Sequence, residues 1–213
     1  MSRAPQSERL TLRGPAGQLE SVLDLPRDRE PVATAVVCHP HPQHGGTLHN
    51  KVAHTLARAF VGSGYAALRF NFRGTEASEG DYDAGAGEVD DALAAAAYLA
   101  TRFPDQPQWI GGFSFGAAMA IKAAQRQAFA GLVSVAPAVE RFAADAGPQP
   151  ACPWLIVQGD VDELVDVDDT VAWFNTLEPG PELVVLEDVE HFFHGRLTDL
   201  RELVAEFVAV HGS

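Results

Sequence analysis

Gly112-Phe113-Ser114-Phe115-Gly116 is the stretch whose reading decides the fold. It follows a short apolar run, Gln108-Trp109-Ile110, and opens an alanine-rich segment, Ala117 to Ala124. A strand, a sharp turn and a helix therefore meet at a serine. A turn this tight brings strand and helix backbones together, and a side chain at either flanking glycine would collide with them. The serine is forced into strained backbone geometry, which lifts its hydroxyl clear of the sheet as a nucleophile would need. A glycine-rich turn holding an ordinary serine would have the same five residues, so the rest of the chain must supply the chemical partners.

Outward from that turn, strands and helices alternate. Arg9 to Arg13 and Leu19 to Leu23 read as an opening hairpin, turned by Gly14-Pro15-Ala16-Gly17. Ala33 to Cys38 reads as a buried strand, followed by a loop rich in His, Pro and Gly and a helix from about Leu48 to Val61, closed by Gly62-Ser63-Gly64. Ala66 to Phe70 is the next strand, Asn71 to Gly87 a long polar loop, and Glu88 to Thr101 a helix. Glu88, Asp90 and Asp91 suit the positive end of that helix's dipole. Leu132 to Val135, Trp154 to Val157 and Leu183 to Leu186 read as strands; Val167 to Leu177 and Leu197 to Val210 read as helices. This alternation implies an α/β fold, a mostly parallel sheet of about eight strands with helices on both faces. Ligands of such sheets bind outside the carboxyl ends of the strands. No repeat or linker interrupts the chain, so residues 1–213 read as one domain.

Composition narrows the partners. The chain has 213 residues, enough for a substantial core, and a formal charge of -14. That charge argues against nucleic acid or an anionic membrane. Met1 to Leu10 is polar, so no signal peptide is expected, and the longest apolar run, Ala92 to Ala100, is too short to cross a bilayer. Cys38 and Cys152 sit beside apolar runs and read as buried free thiols of a reducing, cytoplasmic setting.

A serine hydroxyl needs a base within hydrogen-bond reach, and the base needs a third group to orient it. On a sheet of this kind the order along the chain is Ser, then Asp or Glu, then His. The histidines after Ser114 are His191, His194 and His211. His191 follows a strand after a short loop and is the favoured base; His194 is the alternative, and His211 lies in the tail. The loop after Trp154 to Val157 holds Asp160, Asp162, Glu163 and Asp166. Asp162 lies far enough past Gly159 to turn back toward the histidine loop, with Asp160 second.

Acyl transfer also needs preorganised N–H groups for the developing oxyanion. One belongs to Phe115, the residue after the nucleophile. The other should come from His39-Pro40-His41-Pro42-Gln43-His44-Gly45-Gly46. Proline has no N–H, which leaves His41 first and Gln43 second. His39, His41, His44, His49 and His54 could suggest a metal site, but no zinc-type spacing supports one. Buried, hydrogen-bonded histidines are the expectation, with no metal and no cofactor.

Together, "CHPHPQHGGTLHNKV" from Cys38, "LRFNFRGTEASEG" from Leu68, "GGFSFGAAMA" from Gly111, "IVQGDVDELVD" from Ile156 and "EHFFHGRL" from Glu190 resemble the small, lidless α/β-hydrolases of bacteria. The resemblance covers nearly the whole chain. It implies the α/β-hydrolase fold, with Ser114, Asp162 and His191 as catalytic triad and Phe115 and His41 as oxyanion donors. It implies a serine hydrolase of carboxylesterase type, acting on a small-molecule ester with a short acyl group. Relatives often carry a further glycine where this chain has Thr75-Glu76-Ala77-Ser78, and Arg73 reads as structural. Relatives with a lid insert it where this chain has only Ala136 to Cys152, room for a turn of helix near Val139 to Ala143. The site should then be open and shallow, lined from among Phe113, Phe115, Phe142, Phe192 and Phe193.

Overall fold

The computed structural model describes residues 6–27 and 29–212. Eight strands form one sheet: β1 (Gln6–Gly14), β2 (Gly17–Leu25), β3 (Thr34–Cys38), β4 (Ala66–Phe70), β5 (Gln108–Phe113), β6 (Gly131–Val135), β7 (Trp154–Gly159) and β8 (Glu182–Leu186). Their spatial order is β1-β2-β4-β3-β5-β6-β7-β8. The β1–β2 and β2–β4 pairs are antiparallel and all others parallel. Strands β3, β4, β5, β6 and β7 are covered on both faces, which is why they read as unbroken apolar runs.

The helices are α1 (Lys51–Gly62), α2 (Ala86–Arg102), α3 (Phe115–Arg126), α4 (Val167–Phe174) and α5 (Leu197–His211). Helices α1 and α5 pack on one face of the sheet around Phe60, Trp109 and Phe207. Helices α2 and α3 cover the other around Phe70, Phe72 and Met119. Chain order reverses around β3, which has β4 on one side and β5 on the other. The crevice at such a reversal lies beyond the carboxyl ends of β3 and β5. Between β6 and β7 there is one 3-10 turn, Glu140–Phe142, and no cap domain.

The boundaries depart from the sequence reading in three informative places. Strand β5 runs on to Phe113, because its backbone keeps pairing with β3 and β6 up to the elbow. Helix α4 stops at Phe174, and Thr176 and Leu177 close in tight turns on Trp173 and Phe174 before Glu178-Pro179. Helix α2 begins two residues early, at Ala86. Glu88 then reaches back to the N–H groups of Gly85 and Asp83, both at 2.8 Å, as a first-turn carboxylate does.

Asp91 has another task. It accepts Arg73 Nε at 2.9 Å, Nη2 at 2.7 Å and the Arg73 backbone N–H at 3.0 Å. A Cβ at Gly87 would overlap the guanidinium, so glycine leaves the room this pair occupies. The pair ties the loop after β4 to α2. Glu76 in that loop has φ 50°, a left-handed conformation at a side-chain-bearing residue. Both cysteines are free, Cys38 fully buried. Among the described residues no helix is long and apolar enough to cross a membrane.

Breaking the pair strands a buried carboxylate. Arg73→Met should therefore cost about 3–5 kcal/mol in urea unfolding, and a loss below about 1 kcal/mol would show that Asp91 finds another partner or water.

Candidate active site

Ser114 sits between β5 and α3 with φ 55° and ψ −116°. This conformation is held from both sides. Its N–H donates to Val135 C=O at 2.8 Å, and its own C=O accepts from Ala117 and Ala118 at 3.0 and 3.2 Å. The two glycines have different neighbours. A Cβ at Gly112 would run into the backbone of Gly116 and Ala117, where strand meets helix. A Cβ at Gly116 would run into the carbonyls of Cys38 and His39, at the end of β3. The second glycine therefore lets α3 approach the neighbouring strand, a contact the local sequence does not show. Phe115 opens α3, where backbone N–H groups lack intrahelical acceptors and the helix dipole is positive.

The loop after β3 divides its histidines by task. His39 is fully buried; its Nε2 accepts the Phe72 N–H at 3.1 Å, so Nδ1 carries the proton and donates to Pro40 C=O at 2.6 Å. Burial lowers its pKa to about 4, against the opposing pull of the Pro40 bond, so the ring is neutral. His41 Nδ1 accepts the Gln43 N–H at 3.2 Å. Of the two donors left open by sequence, Gln43 is thus already engaged, whereas among the described residues no acceptor takes the His41 N–H. Among the described residues, His, Cys, Asp and Glu side chains form no group of three or more that could hold a metal ion.

The loops after β7 and β8 meet through Asp162 and His191. Asp162 Oδ2 accepts from His191 Nδ1 at 2.8 Å and from Gln158 Nε2 at 3.1 Å. Its Oδ1 accepts the N–H groups of Leu164 and Val165 at 2.9 and 2.8 Å. Burial pushes this carboxyl up, but the His191 hydrogen bond and the two backbone N–H groups outweigh it and hold the group below the usual aspartate value. Nδ1 thus donates to Asp162, and among the described residues no partner engages His191 Nε2. Asp160, the second choice for the acid, lies instead near the Val189 N–H, with its Oδ1 at 3.4 Å. His194 is exposed and paired with Glu190, and His211 is paired with Glu182 and packed on Phe207.

Two ties at this site were not read from the sequence. Gln158 is fully buried and donates to Asp162, Val165 C=O and Gly159 C=O, so it shapes the whole acid loop. A polar residue ending an apolar strand was the available signal. Glu163 accepts the His191 backbone N–H at 3.2 Å, a second tie between the two loops.

Ser114, Phe115, His41 and His191 line one cavity of about 500 Å³. No hydrogen bond joins Ser114 to His191; such bonds are often long in unliganded sites and tighten around substrate. Phe142 and Phe192 also line the cavity. Phe113 and Phe193 lie in the core with no exposed surface, and Phe113 supports the His191 ring from 4.8 Å. The short β6–β7 interval does not leave a bare, shallow surface, because the Glu140–Phe142 turn and Trp173 of α4 wall the cavity in.

Residues 30–150 match the family described as serine aminopeptidase, S33. A solved α/β serine hydrolase homologue from Coxiella burnetii is 46% identical, with TM-score 0.88, over 93% of this chain and 96% of that one. An α/β serine hydrolase without lid from Xanthomonas campestris is 41% identical, with TM-score 0.91, over 96% of this chain and 94% of that one. An uncharacterized protein of Rickettsia prowazekii is 31% identical over 92% of this chain and 86% of its own length.

The lowered Asp162 pKa links folding to pH. A carboxyl depressed in the folded state stabilises above its unfolded value, near pH 4, and loses that contribution as pH falls through the folded value. The stability difference between the native chain and Asp162→Asn should therefore shrink as pH is lowered from about 6 to about 3. Thermal melts across that range would show it; a constant difference would contradict the linkage.

Proposed function

The chain belongs to the serine aminopeptidase family and is a small lidless α/β-hydrolase, and on that premise we propose that it cleaves short-chain carboxylic esters through an acyl-enzyme on Ser114. The observation that carries this reading is the Asp162–His191 hydrogen bond, 2.8 Å long, on the cavity that Ser114 also lines.

In the proposed cycle His191 Nε2 takes the hydroxyl proton as Ser114 Oγ bonds to the acyl carbon. The carbonyl oxygen becomes an oxyanion that accepts from the N–H groups of Phe115 and His41. Asp162 keeps the imidazole proton on Nδ1 and stabilises the imidazolium. The tetrahedral intermediate collapses, the bond to the alcohol oxygen breaks, and His191 returns its proton to that leaving group. Water then attacks the acyl-enzyme, losing its proton to His191, and the carboxylic acid leaves as Ser114 recovers its own. Acyl thioesters would follow the same steps with a thiol leaving. Phe142 and Phe192 would contact the apolar part of a substrate. A cavity of about 500 Å³ suits a small molecule.

Initial rates on aryl esters and acyl thioesters of increasing acyl length test the reading. Ser114→Ala should cut kcat by roughly 10³-fold or more, and rates should fall beyond short acyl chains. Undiminished turnover by Ser114→Ala would contradict the assignment of the nucleophile.

A further inference from the structure

The proposed cycle uses only the backbone N–H of His41, yet its imidazole is itself tied into the structure. The ring is committed at both nitrogens. Nδ1 accepts the Gln43 N–H at 3.2 Å, so a neutral ring carries its proton on Nε2. Nε2 lies 3.2 Å from the hydroxyl of Tyr82, which must then accept. Burial first, then His44 and Arg141, hold the His41 pKa below its ordinary value, in keeping with a neutral ring.

The same ring joins the two N–H donors mechanically. It packs 5.1 Å from the Phe115 ring, 5.2 Å from Tyr82 and 5.7 Å from Phe142. Phe115 packs in turn 4.8 Å from Phe142. Tyr82 itself is held on a fixed segment. Glu88 accepts the N–H groups of Asp83 and Gly85 beside it, and the Arg73–Asp91 pair anchors the start of the loop.

We propose that Tyr82 is a positioning residue for the oxyanion site. With Tyr82 on its Nε2 and the Gln43 N–H on its Nδ1, the His41 ring is held at both nitrogens, and the loop keeps the shape in which the His41 N–H, rather than that of Gln43, joins Phe115 in receiving the oxyanion. This rests on Ser114 being the nucleophile. Without the tyrosine hydroxyl the ring keeps only the Gln43 tie, and the donor loop loses its fixed shape. Substrate binding in the ground state needs none of this, so the effect belongs to kcat rather than KM.

The test compares the native chain, Tyr82→Phe, His41→Ala and the double variant. Tyr82→Phe keeps the packed ring, and His41→Ala keeps the backbone N–H. Two rates are read: turnover of an aryl acetate, and phosphonylation of Ser114 by a fluorophosphonate. Tyr82→Phe should lower kcat and the phosphonylation rate about tenfold, with KM changed less than about twofold. The double variant should be no slower than His41→Ala, because both changes act through one link. Unchanged rates in Tyr82→Phe, or losses that multiply in the double variant, would overturn the proposal. If His41→Ala does not fold, the kcat and KM of Tyr82→Phe decide alone. If the native chain is not phosphonylated at Ser114, the nucleophile assignment fails and this inference with it.

Discussion

The backbone of Ser114 is the constraint around which the other loops are arranged. A side-chain-bearing residue at φ 55° costs roughly 1–3 kcal/mol, and it persists only where its surroundings over-determine it. Here Val135 accepts its N–H, the first turn of α3 takes its carbonyl, and the two glycines let three backbones meet at one corner. The described residues hold seven such strained non-glycine positions: Glu76, Ala84, Ser114, Ala136, Ala143, Asp188 and Phe193. Each lies beyond the carboxyl end of a strand, on the side of the sheet that carries the cavity. The regular core of the sheet supplies the stability, and these positions fall in the loops beyond it.

Two further couplings follow from that corner. On one side the loops after β7 and β8 are joined twice, through Asp162 to the His191 ring and through Glu163 to its backbone. On the other, the loop after β3 is held from below by His39, which binds the Phe72 N–H just past the end of β4. His41 continues that connection to Tyr82. Side chains far apart in sequence thus hold the His191 ring on one side and the loop carrying the His41 N–H on the other. Neither coupling depends on a cap domain, in keeping with the short segment between β6 and β7.

Much of this was legible in the chain because the signals are local. Doubly covered strands give unbroken apolar runs, the elbow needs its glycines within five residues, and the order Ser, Asp, His reflects the order of the strands. What could not be read depends on distant neighbours. Gly116 is required by the carbonyls of Cys38 and His39, Tyr82 by a histidine 41 residues before it, and Glu163 by the His191 N–H. Phe113 and Phe115 flank the serine alike in sequence, yet they enter opposite cores. Phe113 joins the face with α1 and α5, and Phe115 the face with α2 and α3, where it also borders the cavity. A two-residue spacing cannot reveal which side of the sheet each one meets once strand has given way to helix.

The central claim is that the strained serine carries the acyl group during turnover. A reaction with an aryl ester, quenched in acid within the first turnovers and followed by peptide mass mapping, tests it directly. The account predicts one acyl group on the peptide containing Ser114, formed in a burst and lost at the rate of turnover. Steady hydrolysis with that peptide unmodified, or acylation at another residue, would contradict it.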